Sequence, residues 1–320
     1  MSGNRLRPRI ACGGTKPRPR AECPPPPSRL AARRPTAGTI LDRVTSTNIQ
    51  HGLQPHPHVE EEFVTSADGT RIGFRRLGQG PAVVFVHGSV STHTDWMPAA
   101  KILSQRFTCF VMDRRGRRGS GHGHGPYTIE QEYADVRVLL EVAGPEAMLA
   151  GHSYGAACAM GAALLRPVPK LVLYEPPLSV GGPVAEAEPL AAYAAAVEAG
   201  ENEHAMEIGL TRFTRLRPEV LAAIRSSKGW PRLCHLAPTW TRELIAMNAA
   251  TSVEPYAALR CPVLLLEGAI SPEHPYKDSA RALAAMLPDL RLAALEGQDH
   301  LGLRGAPEDV ARLLGEFLAG

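Results

Sequence analysis

The sequence contains few aromatic residues, few cysteines and no long apolar segment. Phe, Trp and Tyr together make up 5% of the 320 residues. No two of the six cysteines have the CxxC spacing of a redox or metal motif, and three lie in or beside apolar runs, which predicts reduced thiols rather than a disulfide framework. The six are Cys12, Cys23, Cys109, Cys158, Cys234 and Cys261. No apolar run approaches the length that spans a bilayer, and none follows Met1 as in a secretory signal. We therefore expect a cytoplasmic protein without a membrane partner.

The positive charge is confined to one end of the chain. The formal net charge is +3, but residues 1–58 carry ten Lys and Arg against two Asp and Glu. The remaining residues have a balance of −5. The overall basic character therefore belongs to the N-terminal segment, and no nucleic-acid partner is expected for the rest of the chain.

The N-terminal segment, residues 1–58, also contains ten prolines, including Pro24–Pro27. Such a composition buries too little apolar surface to offset the entropy lost on ordering, so we predict disorder. An organellar transit peptide is the alternative, because the segment is rich in Arg and poor in acids. The absence of an amphipathic pattern favours the plain disordered extension.

From residue 60 onward, short apolar strands alternate with helical patterns. A hairpin is predicted around Asp68-Gly69, between Glu61–Ala67 and Thr70–Arg76. Strands buried on both faces are predicted at Ala82–Val86, Phe107–Met112, Ala147–Ala150, Lys170–Tyr174, Pro262–Leu266 and Arg291–Leu295. Helices are predicted at Trp96–Ser104, Ile129–Ala143, Tyr154–Leu165, Tyr276–Met286 and Pro307–Leu318. The alternation predicts an α/β fold with a doubly wound, mostly parallel sheet.

One long interval interrupts this alternation. More than eighty residues separate the strand that ends at Tyr174 from the strand near Pro262. Helical patterns occur in it at Glu186–Ala199, Glu203–Leu210, Pro218–Ser226 and Thr241–Asn248. An interval this long with its own helices predicts an inserted helical cap, residues 178–255, on a core formed by residues 59–177 and 256–320.

The strongest local motif is Gly151-His152-Ser153-Tyr154-Gly155. It joins a predicted buried strand to a predicted apolar helix. A nucleophile on such a turn adopts a strained backbone, which requires small residues two positions before and after it. A glycine-bracketed turn with an incidental serine is the simpler alternative, but the strand–turn–helix context favours Ser153 as a nucleophile.

Two further segments supply what a nucleophilic serine needs. His87-Gly88-Ser89 follows the strand Ala82–Val86, so the backbone N–H of Ser89 and that of Tyr154 are candidate oxyanion donors. Gly88 also permits a tight turn, and both roles are compatible because the donor is main chain.

His300 follows the last predicted strand and is the candidate general base, because histidine titrates near neutral pH. His152 is adjacent to the nucleophile and is predicted to pack beside it. His122 and His124 lie in a glycine-rich loop and are predicted to be solvated. Neither they nor other residues form a metal motif, so no metal or cofactor is expected.

These motifs resemble those of the α/β-hydrolase superfamily, and in particular capped bacterial hydrolases of unassigned substrate. The resemblance covers residues 60–320. It is carried by His87-Gly88, His93-Thr94-Asp95-Trp96, Asp113-Arg114-Arg115-Gly116-Arg117 and Gly151–Gly155. It implies the α/β-hydrolase fold, with Asp113 and the arginines after it holding a loop rather than taking part in catalysis.

The acid of the implied triad departs from the commonest pattern. In many relatives it follows the penultimate strand, where this chain has Glu267-Gly268-Ala269-Ile270-Ser271. Some capped members use the end of the preceding strand, where Glu175 follows Tyr174. A charge there is costly unless it is paired. We therefore favour Glu175 over Glu273 and Asp278.

The sequence thus predicts a serine hydrolase with the triad Ser153, Glu175 and His300, acting on a small ester, lactone, thioester or amide. Carbon–carbon bond hydrolysis and cofactor-free haloperoxidase or perhydrolase chemistry use the same residues and stay open. A non-catalytic ligand-binding protein is the third alternative. The sequence predicts neither the substrate nor the oligomeric state. Six residues of the predicted cap are candidate pocket residues, although the sequence favours a surface or core position for each at least as strongly: His204, Arg212, Arg215, Trp230, His235 and Trp240.

Overall fold

The computed structural model describes residues 59–250 and 252–320. The predicted disordered segment, residues 1–58, and its two cysteines lie outside the described residues. Eight strands within the described part form one sheet in the order β1-β2-β4-β3-β5-β6-β7-β8. The strands are β1 Glu61–Thr65, β2 Arg71–Leu77, β3 Ala82–Val86, β4 Thr108–Met112, β5 Met148–His152, β6 Leu171–Tyr174, β7 Val263–Gly268 and β8 Leu290–Leu295.

The sheet is antiparallel at one end and parallel over the rest. Strands β1 and β2 form the predicted hairpin, with Phe63 opposite Gly73. β2 also runs antiparallel to β4. All other neighbouring pairs are parallel. The predicted doubly wound, mostly parallel sheet is confirmed.

Helices cover both faces of the sheet, as the continuous apolar strands predict. Val83 and Phe85 of β3 pack with Trp96, Leu103 and Leu314 on one face. Val84 and Val86 point to the opposite face and join the core that contains the second layer of helices. The helices are α1 Met97–Leu103, α2 Ile129–Ala143, α3 Tyr154–Leu165, α4 Ala187–Glu198, α5 Asn202–Arg212, α6 Pro218–Arg225, α7 Trp230–His235, α8 Ala237–Ala249, α9 Asp278–Met286, α10 Gly302–Gly305 and α11 Pro307–Ala319.

The last strand differs from its prediction. The sequence predicts that β8 is buried on both faces, yet its residues are largely exposed or half-buried, and Leu292 is 51% exposed. The reason is its position at the edge of the sheet, where β7 is its one strand neighbour. An apolar run alone does not distinguish an edge strand from a central one.

Five helices, α4 to α8, occupy the interval between β6 and β7. Four of them match the predicted helical patterns. The short helix α7 was not predicted, because Pro231 and the preceding Gly229 indicate a loop in the sequence. The boundaries of a separate cap, at residues 178 and 255, stay a prediction.

Cys109, Cys158 and Cys234 are buried and Cys261 is half-buried, and no disulfide joins these four described cysteines. Over residues 59–250 and 252–320, every helix is too short or too polar to cross a bilayer.

Candidate active site

Ser153 lies at the sharp turn between β5 and α3. Its backbone has φ 55° and ψ −128°, a conformation that non-glycine residues rarely adopt. A Cβ added to Gly151 would lie 2.4 Å from the carbonyl oxygen of Gly155. One added to Gly155 would lie 2.4 Å from the carbonyl oxygens of His87 and Val86. The two glycines therefore allow the turn to close and α3 to approach β3.

Glu175 directly follows β6 and contacts His300. Its Oε2 lies 2.7 Å from His300 Nδ1, and both side chains are buried. The other oxygen, Oε1, accepts a hydrogen bond of 2.6 Å from the backbone N–H of Gly268. Because a carboxylate only accepts, His300 Nδ1 donates and Nε2 is left as the acceptor on the ring.

The alternative acids lie elsewhere. Glu273 pairs with Arg281 at 2.8 Å, and its side chain is 67% exposed. Asp278 pairs with Arg281 at 2.6 Å and with His274 at 3.0 Å. The structure therefore brings Glu175, and neither alternative, against His300.

Two rings hold His300 in place. Tyr276 stacks on it with 4.1 Å between ring centroids and 15° between planes. His152 lies 4.7 Å away on a tilted ring, and its Nε2 donates to the backbone oxygen of His300 at 3.0 Å. Burial lowers the pKa of His152 well below its usual value. His152 is therefore neutral and its Nε2 is occupied by a backbone contact, in keeping with the prediction that it packs beside Ser153.

The loop after β3 passes directly beside Ser153. A Cβ added to Gly88 would lie 2.9 Å from the Cβ of Ser153. Ser89 comes next, followed by Val90 with φ 43°. A positive φ at a β-branched residue is unfavourable and is retained only where surrounding contacts impose it. Together with Ser153 and Glu175 (φ 46°), three strained non-glycine residues lie around one site.

Buried ion pairs hold the loop after β4, where the resemblance implied a structural role. Asp113 accepts hydrogen bonds from the backbone N–H of His93 at 2.8 Å and from Arg75 at 2.7 Å. Arg115 pairs with Asp135 at 2.7 Å. These three contacts join the loop to neighbouring elements and lie outside the cavity described next.

A cavity adjoins Ser153 and His300. Its wall is mainly apolar, with residues contributed by α5, α6, α7 and α8. These are Leu210, Ile224, Leu233, Trp240, Leu244 and Met247. Of the six pocket candidates proposed from the sequence, Trp240 lines the cavity and the other five do not. His122 and His124 are exposed.

The sequence did not single out four residues at this site: Tyr276, Asp95, Arg304 and Glu243. Asp95 and Arg304 line the cavity and form an ion pair, with Asp95 Oδ1 accepting from Arg304 Nε at 3.0 Å and Nη2 at 2.8 Å. Asp95 belongs to His93-Thr94-Asp95-Trp96, one of the motifs that carried the resemblance, so the sequence did contain a signal for this residue. The other three lie on elements whose placement is set by tertiary packing.

Comparison with known proteins identifies related chains. The model of the alpha/beta hydrolase family matches residues 83–313. A 2-(acetamidomethylene)succinate hydrolase of Mesorhizobium japonicum is 30% identical over 77% of this chain and 91% of its own length. A non-heme haloperoxidase of Rhodococcus erythropolis is 24% identical over 74% of this chain and 92% of its own. The crystal structure of an alpha/beta hydrolase from Sphaerobacter thermophilus superposes with a TM-score of 0.73 and 32% identity, covering 80% of this chain and all of that one.

Proposed function

Because the chain belongs to the alpha/beta hydrolase family, we propose that it hydrolyses a small ester, lactone, thioester or amide through an acyl-enzyme intermediate on Ser153. The Mesorhizobium relative is named as a hydrolase, which supports the proposal. The observation that carries the proposal is the buried Glu175–His300 contact of 2.7 Å at the cavity that also contains Ser153.

In the proposed mechanism, Ser153 Oγ attacks the substrate carbonyl and gives its proton to His300 Nε2. Glu175 holds the ring with Nδ1 protonated and stabilises the imidazolium that forms. The backbone N–H groups of Ser89 and Tyr154 donate to the oxyanion. His300 then returns the proton to the leaving group. Finally, a water molecule activated by His300 releases the acid.

The composition of the cavity supports a neutral substrate. Among the described residues that line it, Arg304 is the one with a fixed positive charge, and its ion pair with Asp95 cancels that charge. An unpaired carboxylate transferred into such surroundings loses hydration without compensation. We therefore infer that the substrate is uncharged and that its apolar carbon atoms contact Trp240 and the aliphatic side chains of the wall.

A panel of p-nitrophenyl esters of increasing chain length tests the function. Wild-type protein is expected to release p-nitrophenol with saturation kinetics, and Ser153→Ala is expected to lose at least a factor of 10³ in kcat. A Ser153→Ala variant with the activity of the wild type would contradict the proposal.

A second candidate activity is cofactor-free haloperoxidase or perhydrolase chemistry. The similarity to the Rhodococcus haloperoxidase over 92% of its length favours it. In this reaction hydrogen peroxide replaces water in attacking the acyl-enzyme, which yields a peracid. Peracid formation from an acetate ester and hydrogen peroxide, compared with ester hydrolysis by the same sample, distinguishes the two activities.

A further inference from the structure

The carbonyl oxygen of Gly88 accepts hydrogen bonds from two buried side chains. His87 Nδ1 lies 2.8 Å from it and Arg114 Nη1 lies 3.1 Å from it. The backbone N–H of Arg114 donates to His87 Nε2 at 3.1 Å, so the proton of the ring is on Nδ1. Burial lowers the pKa of His87 to about 4, which keeps the ring neutral.

These two contacts determine the direction of the Ser89 N–H. The peptide that joins Gly88 to Ser89 is planar, so its carbonyl and its N–H point to opposite sides. Fixing the carbonyl therefore fixes the N–H that we propose as an oxyanion donor. Because Val90 has an unfavourable positive φ, this loop depends on such outside contacts to hold its conformation.

Four of the five N–H groups of the Arg114 guanidinium donate hydrogen bonds, one of them to Gly88. Nε and Nη2 donate to the two oxygens of Glu132 on α2, at 3.1 and 2.7 Å. Nη2 also donates to Glu243 on α8 at 2.8 Å. Arg117 donates to the same oxygen of Glu243 at 2.5 Å. All four side chains are fully buried, so two positive and two negative charges neutralise one another.

Arg114 also contacts the residue that carries the second proposed donor. Its Cζ lies 4.6 Å from the ring centroid of Tyr154, a cation–π distance. The hydroxyl of Tyr154 lies 2.9 Å from that of Tyr127, which donates to Glu132 at 2.9 Å. The same arginine therefore contacts the Gly88 carbonyl and the Tyr154 ring.

We propose that Arg114 is a positioning residue for the oxyanion site. We further propose that, through its ion pair with Glu243, the orientation of the oxyanion donors depends on the position of α8. This inference rests on the proposed hydrolase function. Arg114 is not among the described residues that line the cavity. It orients the peptide of Ser89 and supports Tyr154, while Glu243 joins both to the helical segment between β6 and β7.

Arg114→Lys tests the inference, with Arg115→Lys as the matched control. Both arginines are fully buried and ion-paired, and both substitutions keep the charge. Of these two arginines, only Arg114 donates a hydrogen bond to Gly88. Removing an oxyanion donor costs roughly 10²–10³ in kcat, so misaligning one in Arg114→Lys is expected to cost at least tenfold. KM is expected to stay within about threefold, because ground-state binding depends on the cavity wall.

The control is expected to lose thermal stability to a similar extent while its kcat stays within about threefold of wild type. Equal kcat values for the two variants would overturn the inference.

If Arg114→Lys does not fold, Glu243→Gln tests the inference instead, because it retains the volume of the side chain and removes one charge. A several-fold lower kcat at unchanged KM supports the coupling, and an unchanged kcat contradicts it.

Rates of Ser153 modification by an alkyl fluorophosphonate separate this inference from the proposed function. If wild-type Ser153 is not modified, the function itself is wrong. If wild-type protein is modified and the Arg114 and Arg115 variants react equally fast, only the positioning role fails.

Discussion

Glu175→Gln is the substitution whose effect the structure determines most closely. The side chain is 1% exposed and each oxygen has one partner. The N–H of Gly268 must donate to an oxygen, so the amide oxygen of glutamine stays on that side. The amide nitrogen then faces His300. Reversing the amide would place two donors 2.6 Å apart at Gly268, which is unfavourable.

The consequence for His300 is a change of tautomer. An amide N–H₂ group only donates, so Nδ1 must accept and the proton moves to Nε2. A protonated Nε2 does not accept the proton of Ser153, and the neutral amide does not stabilise an imidazolium. The corresponding acid-to-amide change in a serine protease lowers kcat by roughly 10⁴. We expect a loss of the same order here.

Single-turnover ester hydrolysis measures this effect directly. Glu273→Gln is the matched control, because Glu273 is exposed and paired with Arg281, away from His300. We expect the control to keep the wild-type rate and Glu175→Gln to lose it while both melt cooperatively. Wild-type rates in Glu175→Gln together with a slow Glu273→Gln would show that the acid has been misassigned.

Three other predictions concern stability and specificity. Gly155→Ala brings a Cβ against two backbone oxygens and is expected to lower the free energy of unfolding, measured in urea, by about 2 kcal/mol or more. Gly182→Ala is the control, because nothing lies within 4 Å of an added Cβ there, and it is expected to change this free energy little. Equal effects of the two substitutions would contradict this account of the turn. Burial alone would raise the pKa of Glu243, but the neighbouring arginines lower it from 4.5 to about 2. The ionised Glu243 therefore stabilises the fold above pH 4.5, and this stabilisation is lost as the pH falls toward 2. Glu243→Gln is therefore expected to flatten the acid limb of the stability–pH curve, and an unchanged limb would refute this. Asp95→Asn removes the carboxylate partner of Arg304, whose side chain is 46% exposed. It is expected to raise kcat/KM for mono-p-nitrophenyl adipate several-fold relative to p-nitrophenyl 6-methylheptanoate; an unchanged ratio would show that the ion pair does not set charge selectivity.

Local patterns were sufficient to predict much of the fold. The apolar strands, the helix at Ile129–Ala143 and the turn at Ser153 depend on periodicity and on backbone conformation, both of which are local properties. The burial of β8 was mispredicted, because its position at the sheet edge depends on the order of all the strands. The short helix α7 was missed because its sequence resembles a loop.

The residues of the candidate site could be predicted from the sequence only where they follow the end of a strand, because the strand then determines their position. Ser153, Glu175 and His300 each follow a strand, so topology places them at the same edge of the sheet. Glu243 is different, because a charged residue in a helix usually faces solvent. Its burial depends on two arginines more than a hundred residues earlier in the chain. No pattern in the sequence around α8 indicates that contact.

The most direct test of the central claim is intact and peptide mass spectrometry of folded protein after reaction with an alkyl fluorophosphonate. We predict one adduct per chain, located on the peptide that contains Ser153, and none in Ser153→Ala. No adduct on folded, wild-type protein, or an adduct that persists in Ser153→Ala, would contradict the assignment of Ser153 as the nucleophile.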